Sequence, residues 1–220
     1  MNAEVDPAQL SVYHFLHVDN LAGVLSSGFL YSDGYVRDHG IRNVGVAMNR
    51  IKERRLSIEI PGVSDLKVGH CVPFYFCTKS MMLFVIAKGD SPDLIYKGGQ
   101  SPIVYLRFDF NRVWEWARIS GLRAMMTSGN ASAAQAEVYL EKDAVRGLDW
   151  DAIRETQWGG DDLLKHRKAA EFLVEECVSA DLISEIGVID ETHRLKVVAI
   201  VSQYPKFSQI PVNIQRGWYF

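Results

Sequence analysis

The chain of 220 residues has few cysteines and no long apolar run. Its three cysteines, Cys71, Cys77 and Cys177, form no Cys-x-x-Cys pair and no His/Cys cluster, which argues against a disulfide framework and a zinc site. The longest apolar candidate, residues 81–87, is far shorter than the roughly 20 residues that span a bilayer. Residues 1–10 are too polar and acidic for a signal peptide. We therefore expect a cytoplasmic protein without a metal ion and without membrane contact.

Several common nucleotide-binding and hydrolase motifs are also missing. The sequence contains no Gly-x-Gly-x-x-Gly and no Gly-x-x-x-x-Gly-Lys-Ser/Thr, which argues against a Rossmann or P-loop phosphate site. It contains no Gly-x-Ser-x-Gly elbow and no His-Glu-x-x-His, the signatures of serine hydrolases and zinc proteases. Any enzymatic activity must therefore depend on another arrangement of residues.

The composition is that of one folded domain. Hydrophobic residues make up 48% of the chain and charged residues 23%, both ordinary values for a soluble domain. We find no linker and expect a single domain over residues 1–220. Many short strands and short helices without β-α-β alternation favour an α+β fold with a mainly antiparallel sheet. Residues 31–45, with three glycines, resemble an irregular loop, and the patterns predict strands at 12–16, 72–77, 103–109, 170–175, 186–189, 197–201 and 212–215.

Charge gives two opposing indications about nucleic acid. The formal net charge of -3 argues weakly against nucleic-acid binding. Yet residues 37–55 carry six basic side chains against two acidic ones, and a second basic group occupies residues 165–168. From the residues alone these segments are either solvated faces or surfaces for phosphates.

Glu171 is the most unusual titratable residue, because it lies in the otherwise apolar stretch of residues 169–174. Strand alternation could place it on the solvent face. A carboxylate between Ala170 and Phe172 could instead line a cleft, where partial desolvation prepares it for chemistry. The basic residues 165–168 would then make the mouth of that cleft positive. The residues alone leave both interpretations open.

Seven sequence blocks follow one another along nearly the whole chain and together resemble one family. They are YHFLHVDNL (13–21) with GFL (28–30), IKERR (51–55), VPFYF (72–76) with MLF (82–84) and KG (88–89), GGQ (98–100) with VYL (104–106), AEFLV (170–174), EIGV (185–188) and WY (218–219). In this order they resemble the DarT family, bacterial toxins that transfer ADP-ribose from NAD onto bases of DNA. The resemblance implies an ADP-ribosyltransferase-like fold, with a central split sheet, mainly antiparallel, flanked by short helices.

The resemblance also implies catalytic residues. The family's catalytic glutamate falls on Glu171, which would hold the 2'-hydroxyl of the nicotinamide ribose and stabilise an oxocarbenium-like transition state. The catalytic arginine falls in the pair Arg54 and Arg55. We prefer Arg55, whose guanidinium would grip the pyrophosphate of NAD in a bidentate way. Three further contacts to NAD, the co-substrate, are implied for His17, Asn20 and Tyr75, the last by stacking on the nicotinamide.

The implied acceptor is single-stranded DNA. Most of the family modifies thymine at N3, an atom that base pairing hides, so the base must be single-stranded or flipped out. Residues 158–168 and 127–131 would read the base. The family also implies a macrodomain antitoxin, DarG-like, as a partner of a toxin or phage-defence effector. The side chains expected to contact nucleic acid are Lys165, His166, Arg167, Lys168, Asn130 and Arg50.

Three segments differ from the family pattern. His70-Cys71 replaces Asp-Tyr, residues 78–82 read TKSMM in place of PRSPM, and residues 127–130 read TSGN in place of a Thr-Asp-Gly-His-type loop. These differences concern the identity of the base and its sequence context. Two alternatives remain from the sequence: an ADP-ribosyltransferase that acts on RNA or protein, and a catalytically silent nucleic-acid-binding module.

Overall fold

The computed structural model describes residues 5–46 and 48–220. Residues 1–4, which belong to the polar segment that argues against a signal peptide, lie outside the described residues. Within the described chain there are ten strands and eight α-helices. The strands are β1 (Ser11–His17), β2 (Phe29–Tyr31), β3 (Cys71–Tyr75), β4 (Ile103–Asp109), β5 (Ala124–Thr127), β6 (Val138–Tyr139), β7 (Glu171–Glu175), β8 (Cys177–Ser179), β9 (Ile183–Val188) and β10 (Val212–Ile214). The helices are α1 (Leu21–Ser27), α2 (Asp33–Asp38), α3 (Asn49–Ser57), α4 (Met81–Lys88), α5 (Phe110–Ile119), α6 (Trp150–Arg154), α7 (Asp162–Lys168) and α8 (Glu191–Val201).

One large sheet forms the centre of the molecule. Its eight strands follow the order β10-β9-β4-β1-β3-β7-β5-β6, and β2 pairs with β8 in a separate ribbon. Every pair in the large sheet is antiparallel except β9 and β10, which run parallel. The predicted α+β class with a mainly antiparallel sheet is therefore confirmed. The pairing of β3 with β7 sets Tyr75 opposite Glu171.

The sheet is buried on both faces because side chains along β4 alternate between two hydrophobic clusters. Val104 and Leu106 belong to one cluster, together with apolar residues of α5 and α8. Ile103 and Tyr105 point into the other, which includes residues of α4. All four side chains are fully buried. This accounts for the continuous apolar run of β4, since a strand with both faces covered needs no polar alternation.

Two local predictions were wrong for identifiable reasons. Residues 31–45 are not wholly irregular, because Ser32 accepts a hydrogen bond from the backbone of Tyr35 and begins α2. Residues 197–201 form the last turns of α8 and not a strand. Their Val and Ile content favours a strand, but Val197 and Val201 are four residues apart and both buried, which is the helical period.

No helix within residues 5–46 and 48–220 could span a membrane. The longest, α8, has 11 residues, and none combines the length and hydropathy that a bilayer-spanning helix requires.

Candidate active site

A buried ion pair lies where the middle of the large sheet meets α3. Glu171 is the first residue of β7, and Arg55 projects from α3 towards it. The guanidinium donates two parallel hydrogen bonds, from Nη1 to Oε1 at 3.0 Å and from Nη2 to Oε2 at 2.8 Å. Glu171 is only 3% exposed. The carboxylate thus faces the protein interior at a cleft and not the solvent, in agreement with the second interpretation of the sequence.

The loop between β5 and β6 supplies a third donor to the same carboxylate. The backbone N–H of Ala131 donates to Oε1 of Glu171 at 3.0 Å. The hydroxyl of Thr127 accepts from the backbone N–H of Glu171 at 3.2 Å and donates to the carbonyl of Gly129 at 2.6 Å. Three donors on two oxygens fix both the position and the orientation of the Glu171 carboxylate.

The structure separates the two adjacent arginines. Arg55 binds Glu171, whereas Arg54 turns away and donates from Nη2 to the carbonyl of Ser132 at 2.9 Å. Successive residues of an α-helix are rotated by about 100° around its axis, so neighbours reach different partners. Of the pair, Arg55 is the one in contact with the carboxylate, and Arg54 holds the loop that donates to it.

Arg55 and Tyr75 both have a raised pKa beside the Glu171 carboxylate. Burial lowers the pKa of Arg55, but the adjacent Glu171 carboxylate more than offsets this, and the net pKa is raised. Burial raises the pKa of Tyr75, and Glu171 raises it further, so the phenol remains protonated. The ring of Tyr75 stacks on Phe15 with centroids 5.5 Å apart and planes within 9°.

The pair opens onto a cleft of about 490 Å³. Ligand sites usually have volumes of about 300–1,000 Å³, so this volume suits a small molecule of nucleotide size. The walls combine an apolar side with a few charged and polar groups. The lining includes Phe15, Leu16, Val24, Leu30, Val46, Met48, Met82 and Val85 on the apolar side, and Asn20, Arg42, Lys52, Arg55, Tyr75, Asn130 and Glu171 on the polar side.

His17 lies just beyond this lining, next to Tyr96. The two rings meet edge to face with centroids 5.7 Å apart. His17 accepts at Nδ1 from the backbone N–H of Asp19 at 3.2 Å. Burial lowers the pKa of His17, so the neutral ring carries its proton on Nε2. The buried hydroxyl of Tyr96 packs against Gly98 and finds no hydrogen-bond partner among the described residues.

Asn20 lines the cleft, and its side chain is hydrogen-bonded at both ends to Val44. Its amide nitrogen donates to the carbonyl of Val44 at 2.9 Å, and its amide oxygen accepts from the Val44 N–H at 2.7 Å. Both ends of the side chain are therefore engaged with residues 41–46, several of which line the cleft. In this structure Asn20 anchors a wall of the cleft.

The basic residues 165–168 do not form one exposed cationic surface. Lys165 pairs with Asp162 at 2.8 Å, and Arg167 pairs with Asp149 at 3.1 Å. Lys168 is 3% exposed and donates to the carbonyl of Ile153. The reason is that these residues form α7 and not an extended segment, so the helix distributes them over different faces.

The other predicted nucleic-acid contacts lie nearer the cleft. The ring of His166 packs so closely on Gly129 that a Cβ there would meet it at 2.3 Å. Asn130 lines the cleft, with its Oδ1 accepting from the backbone N–H of Ser132 at 2.9 Å. Arg50 is exposed on α3.

Sequence reasoning missed four contributors to the site. Thr127 and the backbone of Ala131 support Glu171, and neither follows any local sequence pattern. Lys52, which pairs with Asp33 at 2.9 Å, and Arg42 both line the cleft. The excess of basic residues in 37–55 pointed to this region without identifying those two. Within residues 5–46 and 48–220, no three His, Cys, Asp or Glu side chains are grouped to hold a metal ion.

Comparisons with known proteins agree with this geometry. A family model described as single-stranded DNA thymidine ADP-ribosyltransferase, DarT, matches residues 13–220. A curated relative from Thermus aquaticus, named DNA ADP-ribosyl transferase, is 33% identical over 216 residues, which cover 97% of this chain and 90% of the relative.

Two solved structures of Thermus sp. 2.9 DarT are similar over nearly their full length. The complex with ADP-ribosylated single-stranded DNA superposes with a TM-score of 0.90 at 30% identity and covers 100% of both chains. The complex with NAD+ gives a TM-score of 0.83 at 28% identity and covers 99% of this chain and 100% of that one. The predicted fold is therefore confirmed.

Proposed function

Because the chain belongs to the DarT family, we propose that it takes NAD into this cleft and transfers a single ADP-ribose to a thymine of single-stranded DNA. It acts as a single domain and as a bacterial toxin or phage-defence effector. The observation that carries the proposal is the bidentate pair of Arg55 and Glu171 at the cleft wall. A silent binding module would have no need of a buried carboxylate held by three donors.

Glu171 is the catalytic residue in this proposal. The reaction breaks the bond between C1' of the ribose and the nicotinamide nitrogen, releases neutral nicotinamide, and forms a bond from C1' to a nitrogen of the base, whose proton is released to solvent. Positive charge develops on the ribose as the first bond weakens. A carboxylate fixed at the cleft offsets that charge without reorganising, which is the usual source of electrostatic catalysis. Arg55 orients the Glu171 carboxylate through its two parallel hydrogen bonds.

Binding of NAD draws on the polar and aromatic groups around the cleft. His17 presents Nε2–H, which suits the hydroxyl and amide groups of a dinucleotide, and the ring of Tyr96 packs edge to face against His17. Tyr75 offers an aromatic ring beside Glu171 for the nicotinamide. Because both guanidinium hydrogen bonds of Arg55 go to Glu171, we assign the pyrophosphate to Arg42 and to Lys52, whose ion pair with the exposed carboxylate of Asp33 can exchange for a phosphate.

The base enters next to the loop of residues 127–131. A thymine must leave any base pair to expose N3, so single-stranded DNA is the expected substrate. Asn130 lines the cleft, and its Nδ2 can donate to a carbonyl oxygen of the base while Oδ1 stays bonded to Ser132. His166 packs against the same loop. We propose Asn130 as the main base contact and give Lys168 a structural role.

The family also suggests a partner. An enzyme that modifies the DNA of its own host is tolerated only if the mark is removed or the enzyme is inhibited. We propose that a macrodomain antitoxin of the DarG type accompanies this chain. Support comes from the family membership, and a test is whether co-expression of such a macrodomain restores growth of cells that express this protein.

The decisive experiment is mass spectrometry of oligonucleotides incubated with the protein and NAD. We expect single-stranded DNA that contains thymine to gain one ADP-ribose, and RNA to gain none. Glu171→Gln should abolish the gain, because the amide carries no charge. The matched control is Glu185→Gln, since Glu185 is 6% exposed and pairs with Arg107 at 3.0 Å elsewhere in the sheet. Modification of RNA alone, or equal activity of Glu171→Gln, would refute the proposal.

A further inference from the structure

Three aromatic rings form a triangle beside α4, outside the cleft. Phe84, Trp158 and Phe220 meet edge to face, with centroid distances of 5.3 Å, 5.5 Å and 5.9 Å. Trp158 is 6% exposed and forms the base of the cluster. Phe220 is 41% exposed. A large ring left this open is a surface on which another planar group can stack.

Lysine side chains accompany all three rings. The ammonium of Lys79 lies 5.8 Å from the ring centre of Phe220, and that of Lys88 lies 5.6 Å from Phe84. Neither forms an ion pair with a carboxylate of the described residues. The ammonium of Lys168 lies 4.9 Å from the ring centre of Trp158, but Lys168 is buried and so only packs beneath the cluster. Among the described residues, Lys79 and Lys88 therefore have no carboxylate partner; Lys79 lies beside the exposed ring of Phe220, and Lys88 lies beside Phe84.

The backbone of Phe220 is held by two hydrogen bonds, and its ring is held by edge-to-face contacts with Phe84 and Trp158. The Gln100 side chain accepts at Oε1 from the N–H of Phe220 at 3.0 Å and donates from Nε2 to its carbonyl. Such a double hydrogen bond orders the residue before any partner arrives. A ring that is ordered in advance loses less conformational entropy on binding, which favours a binding role over incidental exposure.

Helix α4 connects this cluster with the cleft. Met81, Met82 and Val85 line the cleft from one side of the helix. Phe84 and Lys88 are four residues apart and share another side. A helix of eight residues is roughly 12 Å long. The aromatic cluster and the place where the target base reacts are thus on two sides of one short element.

We propose that Phe220, Phe84, Lys79 and Lys88 form a subsite for the nucleotides that flank the target base. A neighbouring base stacks on Phe220, and the adjoining phosphates meet Lys79 and Lys88. Stacking on aromatic rings combined with lysine contacts to phosphates is the general mode by which single strands are bound without sequence readout. The inference rests on the proposed function, because it assumes a single-stranded DNA substrate.

Steady-state kinetics with thymine-containing oligonucleotides of increasing length test the subsite. We expect Phe220→Ala to raise the KM for long oligonucleotides about tenfold, with little change in kcat, since stacking of one base contributes a factor of about 5–150 in affinity. The KM for the shortest substrates should change little, because they do not reach the subsite. Phe220→Trp keeps a ring and should retain the affinity of the wild type.

The salt dependence of binding tests the lysines. Each phosphate contact to a single strand contributes about 0.7 to the slope of log K against log salt, so Lys79→Gln/Lys88→Gln should reduce the slope by about 1.4. The control is Lys206→Gln, whose ammonium lies 5.3 Å from Phe207 but pairs with Asp181 at 2.8 Å.

The outcomes separate the subsite from the proposed function. If the wild type modifies DNA and Phe220→Ala shows the same KM at every length, the subsite is wrong and the function stands. If the wild type modifies no single-stranded DNA, the function is wrong. In that case, the affinity for a labelled single-stranded oligonucleotide, measured by fluorescence anisotropy, tests the subsite directly. An unchanged affinity in Phe220→Ala would overturn the subsite.

Discussion

Replacing Arg55 with methionine would leave the Glu171 carboxylate buried beside an apolar side chain. The side chains of the pair are 14% and 4% exposed, so solvent can replace little of what the guanidinium provides. Removal of one partner from a buried ion pair costs about 3–5 kcal/mol of unfolding free energy. For a chain of this size each kcal/mol lowers the midpoint of thermal unfolding by about 2–4 °C, so we expect a decrease of roughly 6–20 °C.

The double variant Arg55→Met/Glu171→Gln tests whether the loss of stability in Arg55→Met comes from the buried charge of Glu171. In the double variant, the amide oxygen of the new glutamine can still accept from the N–H of Ala131, which lies 3.0 Å from Oε1 of Glu171 in the wild type. Only one unsatisfied amide group remains, at a cost of about 1–3 kcal/mol, so the double variant should be more stable than Arg55→Met. Urea unfolding followed by circular dichroism measures both, and neither variant should modify DNA.

A matched control is available in the second arginine–glutamate pair of the sheet. Arg107 is 42% exposed, and its partner Glu185 also accepts from Asn213 and Gln215. Glu185 is buried but keeps these two donors, and water can reach the place of the half-exposed Arg107, so Arg107→Met should destabilise the protein less than Arg55→Met. The reasoning is refuted if Arg107→Met destabilises as much as Arg55→Met, or if the double variant is no more stable than Arg55→Met alone.

Three further predictions concern the surroundings of the pair. Arg54→Met removes the hydrogen bond to the Ser132 carbonyl, and we expect kcat/KM for DNA to fall about tenfold in steady-state assays, since a hydrogen bond from a charged donor contributes about 1.5–3 kcal/mol. Thr127→Val removes the acceptor of the Glu171 N–H and should lower the unfolding free energy in urea by about 1–3 kcal/mol, whereas Thr127→Ser should retain it. Burial lowers the pKa of His14, so the unfolded chain takes up its proton first; stability should fall as the pH drops below about 6.5, and His14→Gln should make this fall shallower.

The sequence predicted the parts of the fold that depend on local patterns. Residues 103–109 form β4 because their apolar and β-branched side chains suit a buried strand, and that pattern is visible in the sequence. Residues 197–201 have a similar composition and form a helix. Residues 197–201 form a helix because Val197 and Val201 pack against the sheet, and composition alone does not specify that packing.

The site was predictable only in part for the same reason. Glu171 stands out as a charge in an apolar stretch, but Arg55 is 116 positions away, and only the resemblance to a family linked the two. The supporting contacts of Thr127 and Ala131 come from a loop of small residues whose backbone path is set by tertiary structure. Charge composition likewise does not reveal the helix that spreads residues 165–168 over different faces and buries Lys168.

The contacts around the carboxylate also connect recognition of the base with catalysis. Arg54 holds the loop at Ser132, the same loop donates to Glu171 through Ala131, and Glu171 binds Arg55, which follows Arg54 on α3. These bonds close a ring through one helix, one strand and one loop. The loop also presents Asn130 to the cleft. A base that displaces the loop would therefore disturb the carboxylate, so a poorly fitting base should reduce kcat as well as affinity.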